Sequence, residues 1–185
     1  MTRPVNSPVW TREWVTGSAG QTQALARRIG RALRAGDVLL LSGGLGAGKT
    51  TFTQGLGEGL GVRPGIISPT FVLVRIHPNL ATGTRPGGPD LVHVDAYRLG
   101  SPAELDDLDL DSTLDDAVTV IEWGEGMAEE LSESRLVVTL DRAVGTGDDG
   151  SSRARDDDDA EDEEPRTVTA VAWGPGWQDR DPDRL

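Results

Sequence analysis

The sequence predicts an α/β fold in a single compact domain, and three observations carry that expectation. A short apolar strand, a glycine-rich loop and a helical stretch follow one another between residues 37 and 60. Further apolar runs, Leu91 to Asp95 and Ala117 to Glu122, end in carboxylates, and in a parallel sheet side chains at the carboxyl ends of strands face the ligand crevice. The length, 185 residues, suits one core of ordinary size.

The elements follow in order. Val9 to Val15 alternates weakly and reads as a first strand. Thr16 or Ser18 then caps a helix to about Ala35, with Leu25, Ile29 and Leu33 on one face and Gly36 as its stop. Asp37 to Leu41 is a short buried strand, and Thr50 to Leu60 is a helix ended by Gly61. Phe71 to Ile76 reads as a strand, His77 to Pro89 as a Pro/Gly-rich loop, and Leu91 to Asp95 as a strand. Pro102 to Asp107 has the proline and acids of a helix start. Ala117 to Glu122 is a strand, Gly126 to Ser132 a short helix, and Arg135 to Asp141 and Thr167 to Trp173 the last two strands. The expected division is a tail over 1–11, a core over 12–144, an acidic insertion over 145–165, a final core strand and turn over 166–176, and a tail over 177–185.

The loop Gly43-Gly44-Leu45-Gly46-Ala47-Gly48-Lys49-Thr50 matches G-x-x-x-x-G-K-T, the phosphate-binding P-loop. Lys49 is the only lysine in the chain, against seventeen arginines. A compact ammonium on a flexible stem suits a point charge reaching β- and γ-phosphate oxygens. Backbone N–H groups of residues 45–50 are expected to cradle phosphates, helped by the positive end of the following helix. The Thr50 hydroxyl is placed for Mg²⁺, and Thr51 for the α-phosphate. Asp95 and Glu122 are the candidate carboxylates opposite the loop, to hold Mg²⁺ or to orient an attacking water.

Other residues carry weaker signals. Ser68-Pro69-Thr70-Phe71 stands where P-loop proteins keep a segment that senses the γ-phosphate, with Thr70 offering a hydroxyl; a plain turn is the alternative. His93 shares a strand face with Asp95 and reads as a satisfied core histidine. Trp123 packs the sheet edge or stacks on a partner. Arg98 contacts phosphate or pairs with Asp106 or Asp107.

Composition excludes several classes. Without cysteine there is no disulfide, thiolate metal site or cysteine nucleophile, which fits a reducing cytosol. No apolar run has the length of a membrane span, and the N-terminus lacks a signal-peptide pattern. The net charge is −13. Residues 145–165 hold ten acids and two arginines, which leaves −5 on the rest. That segment cannot bury enough apolar surface to order itself and reads as a disordered insertion in a hairpin, either a solvated excursion or, functionally, an electrostatic mimic of nucleic acid or a partner-docking tail. The remainder offers no basic cluster for a phosphate backbone, so direct binding of nucleic acid is not expected.

Together the residues Gly43 to Thr51, Ser68-Pro69-Thr70-Phe71 with Val72-Leu73-Val74, His93-Val94-Asp95-Ala96-Tyr97-Arg98-Leu99 and Ile121-Glu122-Trp123-Gly124-Glu125 resemble the TsaE family. That family is the small bacterial ATPase of the tRNA threonylcarbamoyladenosine pathway. The resemblance spans residues 12 to 142 and the final strand from Arg166 to Trp173. It implies a P-loop-type sheet of mixed strand direction flanked by helices. It implies ATP and Mg²⁺ at Gly44, Leu45, Gly46, Ala47, Gly48, Lys49, Thr50, Thr51 and Thr70, with Thr50 and Glu122 as metal ligands. Lys49, Asp95 and Glu122 would be the catalytic set, with Asp95 helping to position water or metal. Arg166 resembles a basic position near the nucleotide. Two departures are the acidic insertion and the lack of an acid at the first helix start. The implied activity is slow hydrolysis of ATP in the cytoplasm, stimulated in a complex with TsaB and TsaD, with tRNA met only through those partners.

Two other readings share the P-loop. A small-molecule kinase would need an arginine-rich lid, and the late Arg153 and Arg155 lie in the acidic run. An ATP-sensing adaptor would use every phosphate-binding residue without chemistry. No N-K-x-D tetrapeptide is present, which weighs against a GTPase. No arginine finger is evident, which suggests a trigger supplied by a partner.

Overall fold

The computed structural model describes residues 7–142 and 165–185. They form one seven-stranded sheet with helices on both faces. The elements are β1 (Trp10–Thr16), α1 (Ala19–Ala32), β2 (Val38–Ser42), α2 (Lys49–Leu60), β3 (Val74–His77), β4 (Asp90–Asp95), α3 (Pro102–Asp106), α4 (Asp111–Leu114), β5 (Ala117–Glu122), β6 (Arg135–Arg142) and β7 (Arg166–Trp173). The strand order is β1-β7-β6-β2-β5-β4-β3. β6, β2, β5 and β4 run parallel, and antiparallel pairs add β3 on one side and β7 and β1 on the other.

Period-two alternation divides the strands between two cores. Leu39 and Leu41 of β2, Val118 and Val120 of β5 and Leu136, Val138 and Leu140 of β6 pack beneath α1 and α2. Val38, Leu40, Val92, Val94 and Ile121 face the other side, against Leu105, Leu110 and Ala128. The odd residues of β4, Leu91, His93 and Asp95, therefore point the same way as α2.

α1 and α2 touch backbone to backbone. A Cβ at Gly30 would lie 2.4 Å from the Leu56 carbonyl oxygen, at Gly55 2.3 Å from that of Gln23, and at Gly59 2.2 Å from that of Arg27. The glycine-rich sequence of α2 is the condition for this approach. It seats α2 deep against the sheet and so fixes where the P-loop ends.

Several boundaries differ from expectation. α1 starts under a Ser18 cap, whose Oγ accepts from Gln21 N at 3.2 Å, but it stops at Ala32 rather than Ala35. The Asp37 carboxylate accepts the Arg34 N–H at 2.7 Å, and Arg85 donates to the Leu33 carbonyl at 2.8 Å. These bonds replace another helical turn. β3 begins at Val74, not Phe71, because Val72 and Leu73 both donate to the Pro69 carbonyl in a tight turn, with Leu73 at φ +64°. Residues 126–132 form isolated turns instead of a helix; Gly126 stands at φ +78°. α4 was not expected. The stretch 177–185, expected as a tail, places Trp177 and Leu185 in the core, with Trp177 edge-on to Trp10 at 5.8 Å. β6 and β7 pair antiparallel as the hairpin expectation requires, and the acidic run between them lies outside the described residues.

Candidate functional site

A cleft of about 540 Å³ opens at the carboxyl ends of the parallel strands. Its floor is the loop between β2 and α2. Gly43, Gly46 and Gly48 take φ of +143°, +73° and +99°, values that favour glycine. A Cβ at Gly43 would meet the Leu140 carbonyl oxygen at 2.6 Å. Gly48 caps α2 without a side chain, so the first amides of that helix keep their capacity for an anion. Within the loop, Ala47 N–H donates to the Gly44 carbonyl at 3.1 Å, so this amide of the expected cradle is turned inward.

Lys49 is buried at the first position of α2. Its Nζ donates to the carbonyls of Gly43 (2.7 Å) and Gly44 (2.9 Å) and lies 3.9 Å from the centre of the Trp123 ring. Burial lowers the pKa of this ammonium, while Glu122 and Asp95 oppose that shift. The field of the two carboxylates thus helps keep it charged.

Asp95 and Glu122 are register partners at the ends of β4 and β5, side by side on the α2 face. They are 3% exposed each, which places two carboxylates on the inner wall of the cleft. Their surroundings differ. Asp95 Oδ2 accepts from Ser68 Oγ at 3.0 Å and Thr70 Oγ1 at 2.7 Å, and Oδ1 accepts from Tyr97 N–H at 3.0 Å. Glu122 accepts from His93 Nε2 at 2.8 Å through Oε1. Asp95 is therefore tied to the Ser68–Leu73 turn, and Glu122 keeps more lone pairs for a cation.

Thr50, Thr51, Thr70 and Arg166 join Leu45, Gly46, Gly48, Lys49, Asp95 and Glu122 around the cleft. The Gly44 backbone and buried Ala47 belong to its floor. Every site residue singled out in the sequence thus lies in one place.

Sequence reasoning missed Arg142, which lines the cleft and donates to the Gly46 carbonyl at 2.9 Å. Arg166, from the neighbouring strand, donates to the Ala47 carbonyl at 3.1 Å. The two arginines are register partners across the β6–β7 hairpin. A basic residue ending a strand beside the P-loop strand was the available signal for Arg142. Two guanidinium groups thus brace the loop, Arg166 as expected beside it and Arg142 in addition.

Three further expectations change. Trp123 is not an edge residue, since β5 lies inside the sheet; with φ +61° it sets its ring beneath the Lys49 ammonium and contacts Tyr97 at 5.3 Å. Arg98 sits over the Phe71 ring at 5.4 Å instead of pairing with Asp106 or Asp107. His93 is only half satisfied, for its buried Nδ1 has no hydrogen-bond partner among the described residues.

The site fits a nucleoside triphosphate. It offers uncapped helix amides, glycines where side chains would collide, and one ammonium facing two carboxylates. Among the described residues no three His, Cys, Asp or Glu side chains form a metal cage. The donor set of Thr50, Glu122 and Asp95 suits a cation that takes most of its ligands from phosphate and water, as Mg²⁺ does. No helix among the described residues is long and apolar enough to cross a membrane.

Comparison with known proteins agrees with this geometry. The chain overlays the crystal structure of YdiB from Bacillus subtilis with a TM-score of 0.63 and 30% identity, covering 89% of this chain and 87% of that one. It is 52% identical over 158 residues to the tRNA threonylcarbamoyladenosine biosynthesis protein TsaE of Streptomyces coelicolor, covering 85% of this chain and 94% of that protein. The TsaE protein of Bacillus subtilis is 38% identical over 138 residues, 74% of this chain and 80% of that protein. The profile of the threonylcarbamoyl adenosine biosynthesis protein TsaE matches residues 16–149, which hold the P-loop, both carboxylates and Arg142. On sequence, fold and match alike, the chain belongs to the TsaE family.

Proposed function

We propose that this chain is a Mg²⁺-dependent ATP hydrolase of the cytoplasm that supports N6-threonylcarbamoyladenosine modification of tRNA at position 37. It does so by regulating or resetting a complex of TsaB and TsaD. The role in threonylcarbamoyladenosine biosynthesis is supported by family membership. One observation carries the hydrolase reading: two buried carboxylates stand in register on adjacent parallel strands, on the wall that faces Lys49.

In this reading the loop amides and the α2 terminus hold the phosphates, and Lys49 leaves the Gly43 and Gly44 carbonyls to meet β- and γ-oxygens. Thr50 and Glu122 would hold Mg²⁺, which supplies positive charge against the phosphate oxygens when bound. Thr51 reaches the α-phosphate and Arg166 flanks the nucleotide. Asp95 orients the attacking water, and its bonds to Ser68 and Thr70 make that orientation depend on the Ser68–Leu73 turn. Catalysis would then be mostly positioning and electrostatics. TsaB and TsaD are the proposed partners, and tRNA is met through them.

The test separates binding from chemistry. Lys49→Ala is expected to weaken ATP binding by about tenfold or more in calorimetry, the equivalent of roughly 1.4 kcal/mol. Glu122→Gln is expected to bind ATP but to lose turnover by about a hundredfold. Cells carrying either variant should contain less modified tRNA. Full modification with Glu122→Gln would favour an ATP-sensing adaptor over a hydrolase.

A further inference from the structure

The His93 ring lies directly behind a proposed active-site carboxylate. It is fully buried on β4, two residues before Asp95 and on the same face. Its Nε2 lies 2.8 Å from Glu122 Oε1, across from the neighbouring strand β5. A carboxylate only accepts, so the ring carries its proton on Nε2 and donates it. Nδ1 meets no partner among the described residues, and the neighbouring ring of His77, 6.3 Å away, is likewise without one. Burying an imidazole with an unmade hydrogen bond costs stability, and a leucine would fill the same space without that cost. Among the described residues, the one side-chain hydrogen bond that His93 makes is with Glu122.

We infer that His93 is a positioning residue that fixes the Glu122 carboxylate so that its second oxygen faces the nucleotide cleft. This rests on the hydrolase reading above. Without the Nε2–H, Glu122 loses the donor that anchors Oε1, and the side chain rotates among orientations that do not serve a cation. The effect belongs to the same class as the hydrogen bonds that orient metal ligands from behind, whose loss typically costs 10–100-fold in metal affinity or activity. His93 touches neither phosphate nor water in this scheme.

The experiment compares wild type with His93→Leu, His93→Gln, Glu122→Gln and the double variant His93→Leu/Glu122→Gln. A glutamine amide can place a donor near the position of Nε2. Three quantities are read for each: the thermal midpoint, the affinity for a non-hydrolysable ATP analogue with and without Mg²⁺, and ATP turnover with TsaB and TsaD present. His93→Leu is expected to keep a folded midpoint and its Mg²⁺-free affinity, and to lose about tenfold or more in Mg²⁺-dependent affinity or turnover. His93→Gln should recover most of that loss. The double variant should be no worse than Glu122→Gln alone, because both remove one interaction.

Wild-type affinity and turnover in a folded His93→Leu protein would overturn the inference alone. So would a loss that adds in full to that of Glu122→Gln, or an equal loss in His93→Gln. Wild-type protein that binds no ATP analogue would instead sink the hydrolase reading, and the inference with it.

Discussion

At the scale of single residues, the site works by contrasts between similar groups. Asp95 and Glu122 share a register position and a depth, yet three hydrogen bonds hold one and a single histidine holds the other. The difference assigns Asp95 to the Ser68–Leu73 turn and leaves Glu122 open to a cation. The two histidines show a second contrast. Burial, aided by His93, Arg63 and Arg75, pushes the pKa of His77 down to about 4 from 6.5. Above pH 6.5 the folded and unfolded chains both hold this ring neutral. As pH falls from 6.5 toward 4, the unfolded chain takes up the proton first, so stability drops across that window by about 3 kcal/mol in all. His77→Leu should remove that part of the acid sensitivity. Urea unfolding at pH 7.5 and pH 5 measures it; an unchanged pH dependence in the variant would refute the assignment.

At the scale of elements, α2 does two jobs at its two ends. Its first turn has no side-chain cap and is the proposed seat of the phosphates, and its last half presses glycines onto α1. Alanine raises helix propensity by up to about 1 kcal/mol over glycine, but at Gly59 the new Cβ would stand 2.2 Å from a backbone oxygen. The overlap wins because that backbone has no room to yield. Gly59→Ala should destabilise by roughly 1–3 kcal/mol. Gly20, in the first turn of α1, has only Ser18 Oγ nearby, at 3.9 Å. Gly20→Ala should therefore stabilise by roughly 0.5 kcal/mol. Thermal unfolding of the pair checks both signs at once.

At the scale of the whole molecule, most of the net charge is concentrated in one stretch of the sequence. Eight of the thirteen net negative charges lie in residues 145–165, between β6 and β7. That segment joins two strands whose register partners, Arg142 and Arg166, already pair across the hairpin. Deleting 145–165 should leave the midpoint and ATP turnover within about twofold of wild type, since charge–charge interactions in water are screened by salt over roughly 8 Å. A large fall in turnover on deletion would show that the acidic run acts on the site. The C-terminal residues are the opposite case: polar in sequence, they carry Trp177 and Leu185 into the core and tie Arg180 to Asp37 at 2.6 Å.

The fold and most of the site were legible because their signals are local. Strand, glycine loop and helix are adjacent in the chain, and a P-loop binds phosphate with backbone amides that a short motif fixes. Asp95 and Glu122 were visible as carboxylates ending apolar strands, a pattern that needs no knowledge of neighbours. What only the tertiary structure decided depends on which strands lie side by side. The order β6-β2-β5-β4 brings Arg142 to the P-loop, Trp123 beneath Lys49 and His93 behind Glu122, contacts between residues 29 to 96 positions apart. Helix ends and β3 were misjudged for the same reason: Asp37, Arg85 and the Pro69 carbonyl captured groups that local propensity would have left to helix or strand. Sequence period sets which face a residue joins, and long-range hydrogen bonding sets where that period stops.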